Sequence, residues 1–265
     1  MGAMTENGIL LRSQGICKRF GGVLAVDQFS GVVRENHLVG IIGPNGAGKT
    51  TILNLLSGIY AIDSGEVVFQ GKAIGGLQSF EIGRLGIART FQNIRLFEDM
   101  SVLDNVRSAY SWRARYGLLK AMVGWRGVGS IERQVIDRSA GWLDKVGLGD
   151  YRHEQAGSLP YGLQRRVELA RALAGEPRLL LLDEPAAGLN PAEVRGLIAL
   201  IRQLFTEFKL SIILIEHRME VVMELCQWIY VQNFGCTIAE GTPDQIQRNP
   251  TVISAYLGEE HVCSR

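Results

Sequence analysis

The run Gly43, Pro44, Asn45, Gly46, Ala47, Gly48, Lys49 and Thr50 sits between a short apolar segment and a segment of helical periodicity, an order that leaves the chain few folds. Upstream, Leu38, Val39, Ile41 and Ile42 read as a buried strand; downstream, Ile52, Leu55 and Leu56 mark one face of a helix. Strand, glycine-rich turn and helix start form the context in which G-x-x-x-x-G-K-[ST] binds phosphate. The glycines let backbone N–H groups turn inward, and the helix start favours negative charge. Lys49 supplies a point charge and Thr50 a hydroxyl ligand for a magnesium ion, and Thr51 completes the nucleotide-facing set.

A second block, residues 159–191, reads as a helix followed directly by a strand. From Gly162 onward, Leu163, Val167, Ala170, Leu173 and Ala174 recur at helical spacing, with Arg165, Arg166, Glu168 and Arg171 largely on the other side. Gly175 and Pro177 stop the helix. Leu179, Leu180, Leu181 and Leu182 form an apolar run without alternation, as expected of a strand covered on both faces of a parallel sheet. It delivers Asp183 and Glu184 to the carboxyl end, where ligands of such sheets bind. Asp183 is placed to hold a water of the magnesium ion. Glu184 either acts as general base on the attacking water or anchors a hydrogen bond in the turn before Pro185.

These blocks, in this order, resemble the ATP-binding subunit of ABC transporters, from about residue 9 to the C terminus. The resemblance implies an α/β fold: a P-loop NTPase (RecA-like) core with a mostly parallel sheet, an antiparallel β subdomain and an inserted helical subdomain. Residues 1–265 form one ATP-binding domain in this reading, with the core in 9–92 and 159–240, the helical lobe in 93–158 and a helical tail in 241–265. ATP and Mg2+ are the implied cofactors. Gln92 resembles the glutamine that contacts magnesium and the attacking water, and His217 the histidine that touches the γ-phosphate. Residues 186–190 occupy the D-loop position. Phe20 stands where an aromatic stacks on adenine, with Phe29 and Val26 as competitors.

Leu159, Pro160, Tyr161, Gly162 and Leu163 stand where the family carries Leu-Ser-Gly-Gly-Gln, the signature that completes the ATP site of the opposite subunit. Pro160 has neither the serine hydroxyl nor a backbone donor. One lost hydrogen bond to a charged phosphate is worth roughly 1.5 to 3 kcal/mol if nothing replaces it. Two copies of this chain would make two impaired sites, so the expectation is pairing with a second, different ATP-binding subunit.

The remaining sequence narrows the class. The 28 basic and 27 acidic side chains give no electrostatic reason to expect nucleic-acid binding. Cys17, Cys226, Cys236 and Cys263 include no C-x-x-C pair, so neither a zinc site nor a disulfide framework is indicated, and a reducing compartment fits. No run approaches the roughly 18 apolar residues that cross a bilayer. Residues 9–35 alternate apolar and polar positions, an antiparallel region extended by residues 65–70, while residues 102–110 and 131–146 are helical. Between Asn105 and Ile131, Arg107, Arg113, Arg115, Lys120 and Arg126 mix with Trp112, Tyr116 and Trp125, suiting either a membrane surface or a solvated face with packing aromatics.

That segment, PAAGLNPAE and the ending NPTVISAYLGEE resemble the subunits serving branched-chain amino acid importers. The implied partners are transmembrane permease subunits, a second ATPase chain and, indirectly, a periplasmic or surface solute-binding protein. The implied place is the cytoplasmic face of the inner (plasma) membrane, held peripherally. Alternatives are the ATPase of urea or amide uptake or of lipopolysaccharide export, and a soluble non-transport ABC ATPase.

Overall fold

The computed structural model describes residues 8–110 and 128–257. Three apolar runs become five-residue strands buried at every position: β3 (Leu38–Ile42), β7 (Leu179–Asp183) and β8 (Ser211–Ile215). Alternate side chains enter two different cores. Leu38, Ile42, Leu180, Leu182, Ile212 and Leu214 face one side; Val39, Ile41, Leu179, Leu181, Ile213 and Ile215 face the other. The lack of polar alternation thus reflects two covered faces.

With β6 (Ile87–Arg89), β9 (Trp228–Asn233) and β10 (Cys236–Gly241), these strands form a sheet in the order β10-β9-β3-β8-β7-β6. All neighbours are parallel except the β9–β10 hairpin at one edge. The carboxyl ends of β3, β6, β7 and β8 therefore lie along one edge of the sheet, where α/β sheets bind ligands.

A second sheet, antiparallel throughout, joins β1 (Ile9–Phe20), β2 (Val23–Arg34), β4 (Ser64–Phe69) and β5 (Lys72–Ala73) in the order β2-β1-β4-β5. Its Leu11, Ile16, Phe29 and Phe69 pack with Ile41 and Leu181, and with Ile52 and Leu56 of α1 (Lys49–Leu56). Each such fully buried side chain contributes about 1.5–3 kcal/mol.

Helices cover the opposite face. After α2 (Ser79–Leu85) come α3 (Val102–Ser108), α4 (Val128–Lys145), α5 (Tyr161–Ala174), α6 (Pro191–Phe208) and α7 (Met219–Leu225). Val102, Val106, Leu143 and Val146 join the cluster of Val167, Leu173, Val194 and Ile201, so residues of the 93–158 segment share a core with α5 and α6. Caps fix the starts: the Ser101 hydroxyl accepts from Asp104 N ahead of α3, and Asn190 forms a capping box with Glu193 before Pro191 opens α6. Two short helices, α8 (Pro243–Gln247) and α9 (Pro250–Leu257), end the described chain, with Ile246, Val252 and Ala255 buried.

Arg107 is answered by Asp104 at 2.7 Å and Glu132 at 3.3 Å. The other basic and aromatic side chains read between Asn105 and Ile131 lie outside the described residues. Cys17 and Cys226 are free thiols, and Cys236 is disulfide-bonded, which the scattered cysteine spacing does not predict. No helix among the described residues is long and apolar enough to cross a membrane.

Candidate active site

The loop after β3 is shaped by what its glycines lack. A Cβ on Gly43 would lie 2.0 Å from the Gln232 carbonyl oxygen, and one on Gly48 would lie 2.2 Å from that of Ala25. Both adopt positive φ, 147° and 93°, so main chain from β9 and β2 walls the loop and only glycine fits. Lys49, buried at the start of α1, donates to the carbonyls of Gly43 and Pro44, both at 2.9 Å. Burial lowers its ammonium pKa, while the nearby Glu184 and Asp183 pull it back up. Asn45, Gly46, Ala47, Gly48, Lys49, Thr50 and Thr51 line a cavity of about 550 Å³, and Gln92 and Glu184 share its wall.

Asp183, 2 % exposed, is paired through one oxygen with Arg89 at 2.8 Å. Arg89 ends β6 and also donates to Asn54 Oδ1 at 2.7 Å and Ser57 Oγ at 2.9 Å, tying the strand that ends in Asp183 to α1. Burial lowers the guanidinium pKa and the Asp183 carboxylate raises it. The other oxygen, Asp183 Oδ1, is buried with no hydrogen-bond partner. An orphaned carboxylate oxygen and the exposed hydroxyl of Thr50 are the hard oxygen donors that suit a divalent cation.

Glu184 follows in a left-handed conformation, φ 48°, pinned by its amide to Ile215 O at 2.9 Å and by Ala187 N to its carbonyl at 3.1 Å. Two side chains converge on its Oε2: Gln92 Nε2 donates at 2.9 Å and His217 Nδ1 stands at 3.7 Å. Behind them, the fully buried Glu216 accepts from Ala186 N at 2.7 Å, His217 N at 3.2 Å and Arg218 N at 3.3 Å. Burial raises the Glu216 pKa, partly countered by these backbone donors. One carboxylate thereby joins the loop after β7 to the loop after β8. Its place directly behind an unbroken apolar run could have marked it as buried.

The helix at Gly162 differs from its sequence reading. Arg165 and Glu168, read as lying largely on the side opposite the apolar positions, are nevertheless 5 % and 3 % exposed. Arg165 Nη1 donates to Phe91 O at 2.7 Å, its Nη2 donates to Gln92 O, and Glu168 Oε1 accepts from Phe91 N at 3.2 Å. Burial raises the Glu168 pKa, with the Phe91 amide and Arg165 opposing it. The segment carrying Gln92 covers the polar face of α5, and the Arg165–Glu168 spacing of one helical turn was the visible signal. Pro160 caps α5, its carbonyl accepting from Leu163 N at 2.9 Å, and Leu159 is buried. A Cβ on Gly162 would meet Glu193 Oε1 at 2.9 Å.

Phe20 lies 41 % exposed at the end of β1, edge-on to Tyr60 with centroids 5.1 Å apart, and is not among the residues lining the cavity. Its competitors Val26 and Phe29 are buried in the core. Val23, Leu24, Ala25, Phe234 and Gly235 do line the cavity, and sequence reasoning missed them. Asp183 and His217 are not among the lining residues: Asp183 immediately precedes Glu184 and pairs with Arg89, and His217 Nδ1 stands 3.7 Å from Glu184 Oε2.

The ABC transporter family model matches residues 26–187, and the branched-chain amino acid ATP-binding cassette transporter model matches residues 236–262. The chain is 44 % identical over 250 residues to the high-affinity branched-chain amino acid transport ATP-binding protein LivG of Salmonella typhimurium, covering 94 % of this chain and 98 % of LivG. It is equally 44 % identical to the corresponding BraF of Pseudomonas aeruginosa, covering 94 % and 98 %. The crystal structure of MJ1267, an ATP-binding cassette of an ABC transporter in its ADP conformation, superposes with a TM-score of 0.82 at 30 % identity, covering 95 % of this chain and 99 % of that one. A glycine-rich loop walled by backbone, two carboxylates at a strand end and a glutamine and histidine meeting on the second of them lie together at the carboxyl edge of the sheet. The chain belongs to the ABC transporter family, among its branched-chain amino acid transport ATP-binding proteins, and is an ATP hydrolase of that kind.

Proposed function

We propose that this chain is one of two different ATPase subunits of an importer for branched-chain amino acids, and that Glu184 is its general base. The convergence of Gln92 Nε2 and His217 Nδ1 on Glu184 Oε2, at 2.9 and 3.7 Å, carries the reading. The base takes a proton from water as the water oxygen bonds to the γ-phosphorus and the bond to the bridging oxygen breaks, releasing ADP and phosphate. Lys49 and the N–H groups of residues 45–51 hold the phosphates, Gln92 orients the water and His217 faces the γ-phosphate. Phe20 stacks on adenine in this reading. Asp183 Oδ1, Thr50 Oγ1 and the Gln92 side chain would hold magnesium, which neutralises phosphate charge. The relatives named for branched-chain amino acid transport support the solute class.

Its partners are permease subunits, which receive ATP-driven closure of the two ATPase chains at the cytoplasmic membrane face, and a solute-binding protein on the far side. Pro160, which offers no donor to the neighbour's γ-phosphate, favours a partner chain with an intact signature. Glu184→Gln should retain ATP binding and lose hydrolysis by about a hundredfold or more. Near-normal turnover would exclude the base role. Copurification of a single kind of ATPase polypeptide with the permease would exclude the asymmetric pair.

A further inference from the structure

We propose that Tyr161 is a positioning residue for hydrolysis, linking the signature start of this chain to its own Gln92 through Arg165. The proposal rests on the reading of Gln92 as the water-orienting residue.

Tyr161 opens α5 and is 43 % exposed. Its ring lies against the loop after β7, where a Cβ on Gly188 would be 3.0 Å from Tyr161 Cε1. Its hydroxyl accepts from Arg165 Nη2 at 2.8 Å, and the same nitrogen donates to the Gln92 carbonyl. Arg165 Nη1 is held by Phe91 O at 2.7 Å and Glu168 Oε2 at 3.2 Å. The Arg165 and Glu168 side chains are 4 % and 3 % exposed, so little solvent can replace a partner that moves away.

A guanidinium is a rigid planar fork, so its donors shift together. Displacing the phenol moves the nitrogen that also anchors the Gln92 backbone. The Gln92 side chain holds Glu184 Oε2 at 2.9 Å, so the displacement ends at the candidate base. One half-exposed tyrosine at the signature start thereby meets the loop at Gly188 directly and the segment carrying Gln92 through Arg165. A serine or glycine at this place could not reach Arg165, which gives the departure from the family's signature a use within the same subunit. Closure of a neighbouring ATPase chain over the signature start would be felt at the hydrolytic water of this chain's own ATP.

The test is Tyr161→Phe in the complete transporter, assembled with its permease and partner ATPase subunits. Phenylalanine keeps the ring against Gly188 and removes only the hydroxyl. Loss of one hydrogen bond should lower kcat about three- to tenfold with KM within about twofold of wild type. Backbone amide exchange at residues 91–92 should quicken, and ATP-induced association of the two ATPase chains, trapped in a Glu184→Gln background, should be unchanged. Wild-type kcat with unaltered exchange at 91–92 would overturn the proposal. Lost association with a raised KM would overturn it too, because Tyr161 would then act on the neighbour's nucleotide. Gln92→Ala separates the layers: normal turnover there defeats the water-orienting reading itself, whereas impaired Gln92→Ala beside normal Tyr161→Phe defeats the relay alone.

Discussion

Arg89 grips one oxygen of Asp183 at 2.8 Å and leaves Oδ1 buried without a partner, so the strand-end carboxylate is half structural and half available. Removing the guanidinium strands a buried charge, which in comparable pairs costs about 3–5 kcal/mol. Arg89→Met should lower stability by that order in urea unfolding, and Arg89→Met with Asp183→Asn should recover more than half of the loss without recovering turnover. A single-variant loss below about 1 kcal/mol would place the pair among energetically idle contacts.

Lys49 gives the site an alkaline limit. Burial holds its folded pKa below the ordinary 10.5, so the ammonium is lost as pH rises through a window that opens earlier than for a free lysine. The unfolded chain binds the extra proton in that window, so stability without nucleotide gains as pH rises toward 10.5, while ATP affinity falls. Lys49→Arg, charged throughout, should flatten the affinity profile on the alkaline side below pH 10.5. Parallel profiles for both proteins, read by equilibrium titration with a fluorescent ATP analogue, would refute the assignment.

Two glycines of the loop after β3 should respond differently to alanine. Gly46 has φ 81° with nothing within 4 Å of where an alanine methyl would sit, whereas at Gly48 that methyl meets the Ala25 carbonyl at 2.2 Å. Gly46→Ala carries only left-handed strain, about 1–2 kcal/mol. Gly48→Ala adds a main-chain collision and should lose more stability and all nucleotide binding. Calorimetry ranking the two variants in reverse order would contradict the geometry.

Glu216 should matter to both folding and turnover, although it is absent from the cavity wall. Glu216→Ala leaves the amides of Ala186, His217 and Arg218 without their acceptor. The buried Ala186 amide left without an acceptor costs about 1–3 kcal/mol, the part-buried His217 and Arg218 amides less, and the loop holding His217 loosens. We expect a lower Tm and a lower kcat, with ATP binding retained. Unchanged kcat at a temperature where the variant is fully folded would confine Glu216 to a structural part.

The buried strands were legible because their chemistry is local: an apolar run such as residues 179–182 needs no partner to be recognised. The glycine-rich loop between β3 and α1 was legible because its glycines, Lys49 and Thr50 are contiguous. The wiring was not. Arg165 bonds to Phe91 across 74 positions, and helical periodicity tells which side of α5 it occupies without telling what covers that side. Arg89 was equally silent, since a basic residue at a strand end gains its meaning only from Asp183, 94 positions away. Val23 and Phe234 joined the cavity wall because β2 and the β9–β10 turn approach the loop, a neighbourhood set by sheet order.

Glu184 sits at φ 48°, a conformation glycine adopts freely and a side chain adopts at a cost of about 1–3 kcal/mol. The backbone at this corner would be more comfortable with no side chain at all. The tight turn after β7 turns the carboxylate away from the strand direction that Asp183 follows, so two adjacent acids end in different environments. The chain therefore gives up conformational ease at one position for a division of labour that a relaxed strand end could not provide.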